Sequence, residues 1–140
     1  MNIDVYGPTA VTVIRKYVNG QELRECWARE IALLTEYKSV REKTCPRTAF
    51  LGLCEDGYVK GIAPKKYLLR KGKNKDYAIA GAKIILNHLE KEYLPKELWV
   101  MIKETIPTRP DTYNKQMHVV LALKDAGLLQ HPNWPYIHTC

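Results

Sequence analysis

The chain has 140 residues, enough for one compact domain or two very small ones and too few for a large multidomain enzyme. With 46% apolar and 26% charged residues it has the composition of an ordinary globular protein, which excludes collagen-like, low-complexity and disordered classes. Its 22 basic and 15 acidic residues leave a net charge of +7, so a polyanionic partner has to be considered.

The elements follow in order. Residues 7 to 19 place Val11, Ile14 and Val18 on one face, with Pro8 suited to a first turn, and predict a first helix. Residues 21 to 37 carry Leu23, Trp27, Ile31 and Leu34 at helical spacing, with Glu22 and Glu25 where the helix dipole favours acids; this is a second helix. Thr44, Cys45 and Pro46 open a third, short and apolar, which stops at Gly57, a residue that tolerates the left-handed conformation ending many helices.

Between residues 60 and 75 stand Lys60, Lys65, Lys66, Arg70, Lys71, Lys73 and Lys75, with no acid among them. These seven account for the whole net charge, because the remainder is 15 basic against 15 acidic residues. A cationic stripe is the electrostatic footprint of a polyanion contact, and nucleic acid is the partner it suggests. The alternative is a solvated linker, since Gly61, Pro64 and Gly72 interrupt the stretch. GYVKGI and KYLLR around Ala63 and Pro64 could pair as a short β-hairpin near 58–70. Helix-helix-helix-hairpin is the order of a winged helix.

The same pattern then returns. Tyr6, Val11, Val13, Ile14 and Val18 match Tyr77, Ala82, Ile84, Ile85 and Leu89; Trp27 matches Trp99; Gly57 matches Gly127. The offsets stay between 70 and 72. The expected architecture is therefore all-α: two pseudo-repeated three-helix units, about 7–57 and 77–127, joined by the basic segment 58–76 and packed as one domain over 1–140. Either unit alone is near the lower size limit for stability, so the two should share a core, with Trp27 and Trp99 as its anchors.

The stretches CPRTAFLGLCEDGYVKGI (45–62), KNKDYAIAGAKIIL (73–86) and NKQMHVVLALKDAGLL (114–129) resemble a family of small uncharacterised bacterial proteins. Its members are similar in the Cys-Pro start, the AFLGLCE core, the VKGI exit, the KNK-x-YA helix start and the late QM-x-VVLAL-x-x-x-GL helix. The resemblance implies a domain identity and transfers no catalytic residue. The second helix and residues 107 to 111 depart from the pattern.

No GxxxxGK, GxGxxG, GxSxG or HExxH motif is present, and no catalytic residue or cofactor is expected; the reading leans away from an enzyme. Cys45, at the start of the third helix beside Arg41, Lys43 and Arg47, is a candidate reactive thiol, against the plainer reading of a polar neighbour of the helix cap. Cys54 reads as a core residue. A zinc site would need Cys26, Cys45, His88 and Cys140 to converge from distant points, with no close ligand pair to seed it. His118 reads as a surface histidine. His131 and His138 fall in a tail whose prolines disfavour regular structure, with Trp134 and Tyr136 able to clip it to the body. No apolar run approaches the roughly 18 residues of a membrane span, and the opening MNID is unlike a signal peptide, so a cytoplasmic protein without a membrane partner is expected. Two functions follow: non-catalytic nucleic-acid binding through residues 60–75, or a protein-protein interaction adaptor in which that segment is only a linker.

Overall fold

A computed structural model describes residues 4–70, 72–107 and 113–132, all of it helical apart from turns, loops and one isolated β-bridge. The helices are α1 (Tyr6–Lys16), α2 (Leu23–Ala32), α3 (Lys38–Arg41), α4 (Thr44–Glu55), α5 (Lys73–Asn87), α6 (Pro95–Met101), which runs into a 3-10 turn at Ile102–Glu104, and α7 (Gln116–Asp125).

Three helices start where a carboxylate satisfies free N–H groups. The Asp4 carboxylate accepts from the N–H of Tyr6 at 2.9 Å and of Gly7 at 3.2 Å, closing the start of α1. Glu22 accepts from the Glu25 N–H at 3.0 Å to begin α2, and Glu97 reaches back to the Leu94 N–H at the start of α6. Gly57 and Gly127, at φ +86° and +73°, end α4 and α7 alike. In each case the next residue's N–H turns back into the helix, Tyr58 to the Leu53 carbonyl and Leu128 to that of Leu123.

The first two helices are shorter than their periodicity predicts. α1 stops at Lys16, so Val18 lies beyond it and is exposed; α2 stops at Ala32, leaving Leu34 about half exposed. The buried stripe of α2 is complete at Ile31, and past that point no neighbour remains for a further turn to cover. The chain turns there and forms the extra short helix α3.

The core packs crosswise. α4 lies most extensively on α5, and α1 on α7, so the first helix of each half rests on the last helix of the other. Trp27 is buried in α2 against Phe50, ring centres 5.3 Å apart, and Trp99 is buried in α6 against Tyr77 at the same separation. The segments following α4 and α7 meet at the bridge between Val59 and Leu129, where the Lys60 N–H donates to Leu128 and the Gln130 N–H to Tyr58.

That bridge replaces the hairpin expected near 58–70, which does not form. The N–H groups of Tyr67 and Leu68, which a hairpin would pair with the 58–62 arm, both go to the Glu55 carboxylate. The other arm is taken by residues 128–130. No wing is therefore present among the described residues. No helix among them is long and apolar enough to cross a membrane.

Candidate nucleic-acid interface

The basic segment leaves α4, crosses the surface and enters α5, and its path is set by one carboxylate. Glu55, in the last turn of α4, accepts from the N–H of Tyr67 at 2.9 Å and of Leu68 at 3.1 Å with Oε2, and from Lys75 Nζ at 2.6 Å with Oε1. Lys75 also pairs with Asp56 at 2.8 Å. Tyr67 and Leu68 are buried, and the Tyr67 hydroxyl donates to the Ala63 carbonyl, so the loop is anchored from inside. Gly52 makes room for the clasp: a Cβ there would stand 2.6 Å from the Lys75 Cβ and 3.0 Å from its Cα.

Charge follows from this geometry. Burial alone would push the Glu55 carboxyl up, but the hydrogen bonds from Lys75, Leu68 and Tyr67 outweigh it and hold its pKa below the ordinary value. Burial would likewise lower Lys75, and the contacts with Asp56 and Glu55 raise it instead. Both groups are held charged.

An open cleft of about 790 Å³ lies beside this clasp, between the basic loop and the start of α5. Lys65, Lys66, Arg70 and Lys73 line it, all four exposed and none in an ion pair with a described residue. Lys65 lies 5.7 Å from the Tyr67 ring centre, a cation-π distance that keeps it above the loop. With Lys75 committed to Glu55 and Asp56, these four cations face one remaining acid of the lining, Asp76. Gly72 caps α5 without a side chain, so the positive end of that helix opens into the same cleft.

The structure thus gathers five of the seven sequence-predicted cations at one cleft and gives one of the five, Lys75, an internal role. Lys60 is exposed and does not line the cleft; Lys71 lies outside the described residues. Glu55 and Asp56, which organise the site, carry no local signal, since their partner is some twenty residues away in sequence.

Cys45 is the second residue of α4 and half-buried, while Cys54 is fully buried and desolvation pushes its thiol up, away from reactivity. His118 is not a plain surface residue: it is half-buried, its Nδ1 is 2.5 Å from the Tyr113 hydroxyl, and burial lowers its pKa. No group of three potential metal-ligating side chains stands together among the described residues. Cys140, Trp134, Tyr136 and His138 lie outside them.

No curated protein and no solved structure matches the chain. Residues 3–130 match the model of a family of unknown function, DUF6979, and the motifs quoted above all fall within that span, so the chain belongs to this family.

Proposed function

We propose that the protein binds nucleic acid, without catalysis, by seating a phosphate backbone in the cleft beside α5. The observation that carries this reading is the convergence of Lys65, Lys66, Arg70 and Lys73 on one open cleft, with no ion pair to a described residue to neutralise them. Lys75 serves here as a positioning residue, fixing the loop through Glu55 and Asp56. No sequence readout is expected: the inner face of α4 is buried and apolar, and long lysines reach phosphates rather than base edges. Duplex and single-stranded DNA and RNA should be retarded in a gel at about 50 mM salt, with a log-log salt slope of roughly 3 to 4 on duplex for four contacts. Absence of retardation with all of them would end this reading.

A second reading, a protein-interaction adaptor, is favoured by the exposed Leu33, Leu34 and Tyr37 in the connection from α2 to α3. A stoichiometric protein retained from lysate after nuclease treatment, and lost in a Leu33→Ser, Tyr37→Ser variant, would favour it.

We also infer that the chain is an internal duplication of units 7–57 and 77–127. Supporting this are the matched stops at Gly57 and Gly127, the buried Trp27 and Trp99, the reciprocal packing of α1 on α7 and α5 on α4, and the reciprocal hydrogen bonds at the Val59–Leu129 bridge. Either half expressed alone should stay unfolded, because its first and last helices find their main partners in the other half. A cooperative melt from an isolated half would contradict that dependence.

A further inference from the structure

Away from the basic segment, a second pocket of about 590 Å³ opens between α2, α3 and the start of α4. Trp27, Arg41 and Arg47 contribute to its wall, and each carries a buried nitrogen with no hydrogen-bond partner among the described residues: Trp27 Nε1, Arg41 Nε and Arg47 Nε. All three atoms are donors and none can accept. An orphaned buried donor is costly, and three on residues that line one pocket mark a region where an acceptor belongs.

Charge selects the kind of acceptor. Lys38, Arg41 and Arg47 line the pocket against a single acid, Glu42, and none of them is in an ion pair with a described residue. Burial and the neighbouring Arg24 lower the pKa of Arg47, and Glu42 only partly opposes this, so the guanidinium stands in surroundings that would gain from added negative charge. A guanidinium edge suits a two-oxygen acceptor, and the volume falls in the range of small-ligand sites.

We propose that this pocket binds a compact oxyanion, the phosphate or carboxylate group of a small ligand, held by Arg41 and Arg47 with the Trp27 indole N–H as a third donor. The site is separate from the cleft beside α5 and does not depend on the nucleic-acid reading.

The test follows the three donors directly. Sodium phosphate and sodium acetate are added in parallel to the labelled full-length protein, and the Trp27 indole and the Arg41 and Arg47 Nε–H resonances are recorded, with sodium chloride at matched ionic strength as reference. Saturable shifts of all three with phosphate alone indicate a phosphate-bearing ligand; saturation with acetate indicates a carboxylate. Arg47→Gln should weaken the titration about tenfold or more, as loss of a charged hydrogen bond requires. Lys38→Gln, an exposed change with little risk to folding, should weaken it less. Shifts that stay linear and match those in chloride would overturn the proposal. So would saturation that is unchanged in both variants.

Discussion

The cleft beside α5 and the pocket between α2, α3 and α4 both collect cations, but they treat the charge in opposite ways. In the cleft, Lys65, Lys66, Arg70 and Lys73 are exposed on a loop held from beneath by Glu55. Their charges cost nothing in desolvation, act at a distance and are screened by salt. In the pocket, Arg41 and Arg47 are partly sunk and keep Nε atoms without partners among the described residues. There the charge is expensive to leave unmet, and a ligand would be held by direct hydrogen bonds. A count of positive residues does not distinguish these cases; burial and hydrogen bonding do.

The two sites should fail differently when the core is damaged. Trp27 is 1% exposed, packs on Phe50 and forms part of the pocket wall, so Trp27→Ala should cost about 3 to 5 kcal/mol in chemical denaturation. The melt should remain single, because both halves share one core. Under conditions where the variant stays folded, oxyanion binding should be lost and the cleft unaffected. Two separate transitions would mean that the halves are energetically independent, and the contrast between the sites would then be one between two small domains.

Glu55 is the corresponding lever for the cleft. Glu55→Gln weakens the acceptor of the Tyr67 and Leu68 N–H groups and removes a charge partner of Lys75, and should cost about 1 to 3 kcal/mol at neutral pH. Its dependence on pH follows from a folded pKa below the ordinary 4.5. The contribution of Glu55 is complete above that ordinary value and is lost as pH falls through the lower folded one. The gap in stability between wild type and variant should therefore narrow on acidification over that window. A gap of constant size would show that Glu55 stabilises through shape alone.

The parts of this arrangement that were legible in the sequence are those built from neighbours along the chain. The helix starts at Pro8, Glu22 and Pro46, the stop at Gly57 and the run of lysines depend on short-range chemistry and could be read directly. The end of α2 could not, because Leu34 continues the apolar spacing and only the absence of a packing partner stops the helix at Ala32. The supposed hairpin failed for a related reason. Its alternation was real, but a carboxylate from α4 and a strand-like segment after α7 took the hydrogen bonds first. The arginine pocket was the hardest to see. Its residues come from α2, α3 and α4 and belong to the part of the chain whose 15 basic and 15 acidic residues cancel, so neutrality in sequence concealed a local excess in space.

The smallest expected effect gives the sharpest separation of the two sites. Replacing one exposed cleft cation, Lys66→Gln, should leave stability within about 0.5 kcal/mol, since the side chain makes no ion pair with a described residue. If Lys66 touches a phosphate, the same change should lower the log-log salt slope of duplex binding by about 0.9, and do so for every sequence tested. The oxyanion titration should be untouched, because Lys66 does not line that pocket. Arg41→Gln should show the reverse, weakening the titration while the slope on duplex stays as in wild type. A slope that is equally steep in Lys66→Gln would remove that lysine from the phosphate contact. A slope that changes in Arg41→Gln would mean that the nucleic acid reaches both cationic regions, and that the difference in burial between them does not separate two ligands.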